Sequence, residues 1–115
     1  MLKVNLRDLI KEVKKPWEPH DISYVNECAL RIAKIDGAYH WHVHQNEDEL
    51  FLVLKGKIFL DTEKGSTELN EMECYLMKKG IRHRSRSERP AWILLVEPKW
   101  TETKGEPVKE SVKSG

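Results

Sequence analysis

The sequence predicts an all-β fold with one short helix at its N-terminus. Its length of 115 residues suits a single domain with a core of its own. After residue 20 the chain divides into short runs of strand-forming residues, which turn residues separate. About eight to nine such strands, with turns roughly every 8–12 residues, are typical of a β-sandwich or a closed β-barrel.

The predicted helix lies at the start of the chain and ends before Pro16. Asn5 is a suitable N-cap, and Asp8 places negative charge in the first turn. Apolar residues recur at helical spacing at Leu6, Leu9, Ile10 and Val13. Because proline cannot continue a helix, we expect only about two to three turns.

The remaining elements are predicted strands. They cover residues 22–27, 28–35, 39–44, 50–54, 57–62, 67–70, 73–77, 82–85 and 91–96. Asp36-Gly37, Gly56 and residues 63–66 are the predicted turns. The run at 50–54 is apolar on both faces, as in a strand that packs on each side.

Three regions follow from this pattern. We expect an N-terminal helix over residues 1–16, a barrel over 17–100 and a flexible C-terminal tail over 101–115. Beyond Trp100 the chain consists mainly of Lys, Glu, Thr and Gly and has little to bury. The sequence contains no internal repeat and no sign of a second domain.

Charge and composition exclude several classes of protein. The 20 basic and 19 acidic residues leave a net charge of +1, which gives no overall electrostatic basis for binding nucleic acid or an acidic membrane. The longest apolar run, residues 91–96, is far shorter than the roughly 18 residues of a membrane span. Lys3 and Arg7 interrupt any signal-peptide core, and Cys28 and Cys74 make no disulfide framework. We predict a cytoplasmic protein with neither nucleic acid nor membrane as a partner.

Three histidines alternate along one predicted strand. His40, His42 and His44 are two residues apart, so their side chains share a face. Neutral imidazoles side by side gain by sharing a cation. Glu49 could join them only if the polar corner at residues 45–48 turns the next strand. From spacing alone two interpretations stay open: a metal site, or an ordinary acidic turn at residues 47–49.

The longer pattern resembles the cupin superfamily. Its first motif resembles the string Gly37, His42-x-His44, Glu49 and Gly56, and its second resembles Gly80-x-x-His83. The likeness extends over residues 17–105 and is close to small single-domain cupins of the mannose-6-phosphate-isomerase-like kind at residues 48–56 and 96–98. The sequence departs from the second motif at Met72, where the family has glycine, as well as at Lys78 and Ser87.

The resemblance implies a double-stranded β-helix, that is, a jelly-roll barrel, with one divalent metal ion inside. By position, the implied ligands are His42, His44, Glu49 and His83. Such a set suits Fe, Mn, Ni, Zn or Co, and affinity order does not choose among them. His40 shares the predicted ligand face: it is either a neighbour of the ligands that contacts a substrate or a barrel-lining residue bonded to water.

Several other residues have two possible roles. Tyr39 and Trp41 are predicted to face away from the histidines, and Leu50, Leu52 and Leu54 away from Glu49, so we assign them to packing or to a dimer interface. The arginines of residues 82–89 form either a solvated edge strand or a rim for an anionic substrate. A sheet that is apolar on both faces must have both faces covered, and one short helix is not enough to do this. We therefore expect a homodimer.

The function predicted from the sequence is binding of a small oxygenated molecule at the metal. As an enzyme, the protein would be a metal-dependent oxygenase, isomerase or epimerase, since the resemblance does not select a reaction. A non-catalytic module that binds a small ligand and a structural metal barrel are the alternatives. No nucleophile and no phosphate-binding loop is evident in the sequence.

Overall fold

The computed structural model of the chain describes residues 3–108. One helix, α1 (Leu6–Glu12), precedes the strands of this part of the chain. The strands are β1 (His20–Val25), β2 (Cys28–Ala38), β3 (His42–Val43), β4 (Glu49–Lys55), β5 (Ile58–Thr62), β6 (Gly65–Leu69), β7 (Cys74–Met77), β8 (His83–Pro98) and β9 (Glu106–Pro107). The all-β fold with a short N-terminal helix is confirmed.

β8 is the strand on which the barrel is built. Its C-terminal half lies between β2 and β4, while its N-terminal half pairs with β5, with β3 and with the end of β2. These pairings are antiparallel. Because one long strand joins the two halves of the sheet, the sheet curves around a common interior.

The helix begins as the sequence predicts. The Asn5 side chain accepts hydrogen bonds from the backbone N–H groups of Arg7 and Asp8, at 3.0 and 3.3 Å. Leu6 and Ile10 border the same groove as Leu52 and Leu54 of β4. The helix therefore lies against the outward face of β4. No helix in residues 3–108 has the length and apolar character required to cross a membrane.

Two predicted breaks in the sheet are wrong. β2 runs through Asp36 and Gly37 to Ala38, and residues 82–85 and 91–96 belong to the single strand β8. Ile35 pairs with Ala91 and Gly37 pairs with Ser87. Residues 88–90 therefore bulge opposite Asp36. The turn-forming residues of both segments make a bulge within a strand pair, where the sequence predicted ends of strands.

The core lies inside the barrel and is formed by alternate residues of the central strands. It contains Ala33, Ile35, Phe51, Val53, Ile58, Leu60, Leu69, Met77, Ala91, Ile93 and Leu95. On β4 the buried positions are Glu49, Phe51 and Val53, so the carboxylate shares the inward face with apolar residues. This alternation brings Glu49 into the barrel.

Residues 101–108, predicted as part of a flexible tail, run along the barrel. β9 pairs with β3, and the N–H of Val108 donates to the carbonyl of Trp41 at 2.8 Å. Arg31 donates to the carbonyls of Lys99 and Thr101, at 2.7 and 2.9 Å. Backbone groups make these contacts, which explains why hydropathy gives no sign of them. Residues 109–115 of the predicted tail lie outside the described part.

Candidate metal centre

Two histidines of the predicted ligand set face each other across a strand pair. His42 on β3 pairs with His83 on β8, and their ring centres are 4.3 Å apart. Nδ1 of His42 donates to the carbonyl of His40 at 3.0 Å, and Nδ1 of His83 donates to that of Ile81 at 2.8 Å. Because each Nδ1 holds the proton, each Nε2 keeps its lone pair for a cation.

His44 and Glu49 complete the cluster from the two sides of the polar corner. Residues 45–48 turn the chain between β3 and β4, and this turn aims Glu49 at the histidines. Glu49 Oε1 lies 3.5 Å from Nε2 of His44 and 3.6 Å from Nε2 of His83. These three buried atoms have no hydrogen-bond partner within residues 3–108. Unpaired buried polar atoms are costly, and a cation would satisfy all three.

The dimensions of the cluster fit a metal ion. One ligand atom from each of His42, His44, Glu49 and His83 lies within 4.8 Å of the others, and all four residues are buried. Two ligands about 2.1 Å from the same ion are at most about 4.2 Å apart, so small side-chain movements would close the site. The structure thus brings together the four residues that the sequence singled out.

The electrostatics of the cluster favour a cation. Burial, and next the neighbouring His83, lowers the pKa of His42 to about 4, so this imidazole is neutral near pH 7. Burial alone would raise the pKa of Glu49, but its contacts with His44 and His83 lower it overall. The pKa of His44 is raised, because the contact with Glu49 outweighs burial. A divalent ion would displace the proton of His44 and retain the Glu49 charge.

Glu97 is a residue of the site that the sequence analysis did not identify. It is 1% exposed, and its Oε2 accepts hydrogen bonds from Arg31 Nη1 and Thr103 Oγ1, both at 2.6 Å. Its Oε1 has no partner in residues 3–108. Burial and the adjacent Glu49 charge raise the pKa of Glu97. The only sequence signal was its position in the cupin-like segment 96–98.

A cavity of about 390 Å³ reaches the cluster. His42 and Glu49 line it. Its wall also includes Trp17, Ala33, Ile35, Tyr39, Phe51, Ile93, Leu95 and residues 101–104. A volume of this size, largely apolar with a few polar groups, is typical of sites for small molecules.

Tyr39 belongs to this cavity, so its predicted position away from the histidines is wrong. The cause is a break in the strand: β2 ends at Ala38 and β3 begins only at His42, so the alternation of side chains does not hold between them. Trp41 is buried, as packing requires.

His40 does not share the ligand face. Its side chain is exposed, and its Nε2 lies 3.1 Å from the carbonyl of Lys104. Its backbone carbonyl is the group that orients His42. His40 thus orients the proposed ligand His42 through its main-chain carbonyl. The ring itself lies against Tyr39, with centres 4.0 Å apart.

Gly105 packs directly against the ring of His42. A Cβ at this position would lie 2.5 Å from Cδ2 of His42, and the φ angle of Gly105 is +64°. Only glycine allows both the close approach and this backbone conformation without strain. The C-terminal segment therefore packs its main chain directly on a predicted metal ligand.

The basic stretch lies on the outer face of β8 and is largely paired. Nη2 of Arg82 lies 2.6 Å from Glu63, and Nε of Arg84 and of Arg86 lie 2.9 and 2.7 Å from Asp61. These residues alternate with the buried ones of β8, so they point away from the cluster. Their ion pairs stabilise the β5–β8 pairing.

Residues 29–97 match the family model of the cupin domain. The chain is a cupin. Its barrel is accordingly a double-stranded β-helix, as the resemblance implied.

Proteins of known sequence or structure agree with this assignment. YdbB of Bacillus subtilis, an uncharacterized protein, is 39% identical over 100 residues, which cover 86% of this chain and 88% of YdbB. A cupin-2 domain containing protein from Shewanella frigidimarina has a TM-score of 0.81 at 26% identity, over 84% of this chain and 94% of that one. Protein NMB1881 from Neisseria meningitidis has a TM-score of 0.77 at 28% identity, with 84% and 99% covered. These relatives support the fold, and the reaction has to be argued from the site.

Proposed function

We propose that this cupin binds one divalent metal ion through His42, His44, Glu49 and His83 and holds a small oxygenated molecule at that ion. The observation that carries the proposal is the convergence of four buried ligand atoms, three of them without a hydrogen-bond partner in residues 3–108. Bound there, the ion would supply Lewis acidity or a site for oxygen chemistry. Fe, Mn, Ni, Zn and Co all suit the ligand set.

The cavity favours a small-molecule site over a purely structural metal. It is lined by His42 and Glu49 themselves, so a molecule in it would be next to the ion. A structural metal needs no such space, because protein groups fill its coordination shell. Catalysis by a metal-dependent oxygenase, isomerase or epimerase, and binding without turnover, are the two forms of this proposal. A cytoplasmic location and a homodimer belong to the proposal on sequence grounds.

Metal analysis tests the proposal directly. The His42→Ala, His44→Ala double variant should lose its metal, while His20→Ala, an exposed histidine of β1, should retain it. Elemental analysis after equal exposure to Mn, Fe, Co, Ni and Zn gives the stoichiometry. Full metal content in the double variant would exclude this site.

The substitution Glu49→Gln separates metal binding from folding. It keeps the shape of the side chain but removes the negative ligand. We expect lower metal occupancy and weaker small-molecule binding with only a modest fall in melting temperature, whereas Glu47→Gln in the same corner should change neither. If removal of the metal by a chelator unfolds the native protein, and Mn-loaded protein shows no exchangeable inner-sphere water by proton relaxation, the metal is structural.

A further inference from the structure

Tyr39 is held rigidly on the wall of the cavity. Its ring stacks on Trp17, with centres 4.7 Å apart and an angle of 21° between planes, and His40 packs at 4.0 Å. The ring of His42 meets it nearly perpendicularly at 5.5 Å, and the N–H of Tyr39 donates to the carbonyl of Ser85 at 2.9 Å. Neighbours therefore fix the direction in which its hydroxyl points.

The hydroxyl of Tyr39 has no hydrogen-bond partner within residues 3–108, although the residue is half-buried. A tyrosine hydroxyl is protonated at neutral pH and can donate a hydrogen bond. Tyr39 lines the same cavity as His42 and Glu49, two of the proposed ligands. It is a donor suited to a molecule in the cavity.

The cationic side chain of Arg31, also on the cavity wall, is already engaged. Its Nε donates to Asp21 at 2.8 Å, and its Nη1 donates to Glu97 at 2.6 Å. Its Nη2 donates to the carbonyl of Lys99 at 2.7 Å. An anion in the cavity would therefore have to break existing bonds to pair with Arg31, whereas the Tyr39 hydroxyl is available.

The charge of the proposed metal site and the chemistry of the cavity wall indicate which class of small molecule would bind there. A divalent ion with three neutral imidazoles and one carboxylate retains one net positive charge, which a single negative oxygen would balance. One part of the wall is apolar, with Ile35, Phe51, Ile93 and Leu95, while Asp21, Arg31, Ser85 and residues 101–104 form a polar part. An apolar body would bury its surface against the apolar part, where the polar groups of a polyol would be left without partners.

We propose that Tyr39 donates a hydrogen bond to a carboxylate oxygen of a small monocarboxylate with a compact apolar body, bound at the metal inside the barrel. This inference rests on the proposed metal site and assigns the ligand class and a ligand-contacting residue. The carboxylate balances the charge of the ion, its second oxygen accepts from Tyr39, and its body contacts the apolar wall.

Benzoate binding to the Co(II)-loaded protein tests the assignment. Calorimetry gives the Kd, and the visible spectrum of Co(II) reports the surroundings of the metal. Loss of a hydrogen bond to a charged group should weaken benzoate binding by about ten- to a hundredfold in Tyr39→Phe, which retains the ring and its stacking. Acetate lacks the apolar body and benzyl alcohol lacks the charge, so both should bind more weakly than benzoate.

Two matched variants complete the experiment. Tyr75→Phe removes a hydroxyl from a tyrosine that packs on the core and does not line the cavity, and it should leave the Kd unchanged. Ser85→Ala removes another hydroxyl of the cavity wall, and its effect should be smaller than that of Tyr39→Phe.

The outcomes are distinguishable. Absence of uptake of all five metals, Mn, Fe, Co, Ni and Zn, by the native protein would reject the proposed function, and the inference with it. Co(II) uptake without a response to benzoate would reject the ligand class and leave the metal site standing. Equal affinity for benzoate in native and Tyr39→Phe protein, or a larger loss in Ser85→Ala, would reject Tyr39 as the donor.

Discussion

Glu49 and Glu97 lie side by side in the barrel, on the paired strands β4 and β8. Leu50 pairs with Val96 in the antiparallel register. Glu49, which precedes Leu50, therefore lies opposite Glu97, which follows Val96. Both are 1% exposed. Two buried carboxyl groups in contact cannot both ionise at low cost, and the pKa of Glu49 is lowered while that of Glu97 is raised. Glu49 carries the charge, and Glu97 carries the proton.

The first prediction concerns the stability of the metal-free protein. In the folded state Glu97 keeps its proton above pH 4.5, the ordinary glutamate pKa at which the unfolded chain loses it. At this group the folded state then binds more protons than the unfolded state, so the contribution of Glu97 to the free energy of unfolding should fall as pH rises above this value. Glu97→Gln should reduce this fall. Urea denaturation between about pH 5 and pH 8 measures it, with the exposed Glu27→Gln as control. Parallel profiles for native protein and Glu97→Gln would contradict the assignment.

Asp61 gives a prediction of opposite sign. Burial alone would raise its pKa, but Arg86, Ser66 and Arg84 lower it to about 2, from an ordinary value of 3.8. This contribution to stability is present above pH 3.8 and is lost as pH falls towards 2. We expect Asp61→Asn to lower the free energy of unfolding by about 2 kcal/mol at pH 7, with a difference that shrinks in acid.

Chemical denaturation from pH 7 down to the acid limit checks the Asp61 prediction. Asp36→Asn, an exposed residue of β2, is the matched control and should be close to neutral at every pH. If the free energies of unfolding of native and Asp61→Asn protein differ by the same amount at every pH, the ion pairs with Arg84 and Arg86 contribute nothing to stability.

The cluster of three histidines and one glutamate is the part of this structure that the sequence predicts best. His42, His44, Glu49 and His83 occur at spacings that few other folds share, and the bend at residues 45–48 was required for Glu49 to reach the histidines. Burial of a carboxylate next to apolar neighbours on β4 enforces the same arrangement. Local pattern and physical constraint agree here, which is why the sequence predicts the convergence of these four side chains.

Other parts of the site depend on contacts between distant residues. Arg31 and Glu97 are 66 positions apart, and neither has a neighbour in sequence that indicates the pair. Tyr39 enters the cavity because the strand is interrupted between Ala38 and His42, which periodicity cannot show. Gly105 contacts His42 through its main chain, and a segment poor in apolar residues gives no hydropathy signal of such packing.

Met72 gives a prediction about backbone strain. It stands where the cupin motif has glycine, and its φ angle is +68°, a conformation that costs a side-chain-bearing residue about 1–2 kcal/mol. The side chain is 77% exposed and contributes little packing. Glycine would relieve this strain, but it also raises the conformational entropy of the unfolded chain, which offsets part of the gain. Met72→Gly should therefore be more stable by about 0.5–1 kcal/mol. Urea denaturation measures the gain. Met72→Ala retains the strain and should not reproduce it; equal stability of the two variants would contradict the explanation.

The last prediction concerns the outward face of the sheet. Leu30, Val96, Leu50 and Leu76 are register partners in one row across β2, β8, β4 and β7. Leu76 is 51% exposed, and the helix covers the neighbouring Leu52 and Leu54 rather than this row. A straight aliphatic row on a sheet is suited to packing against a second copy, since a two-fold axis would place two such rows in contact.

We therefore expect a homodimer, which light scattering across micromolar concentrations should detect. Leu76→Lys places a charge in the expected contact, at the most exposed residue of the row, and should give a monomer with an unchanged far-ultraviolet spectrum. Ile81→Lys is the control, because Ile81 is similarly exposed, at 43%, but lies outside the row. Native protein that stays monomeric at every concentration would exclude this interface, and a Leu76→Lys variant that remains dimeric would place the contact elsewhere on the barrel.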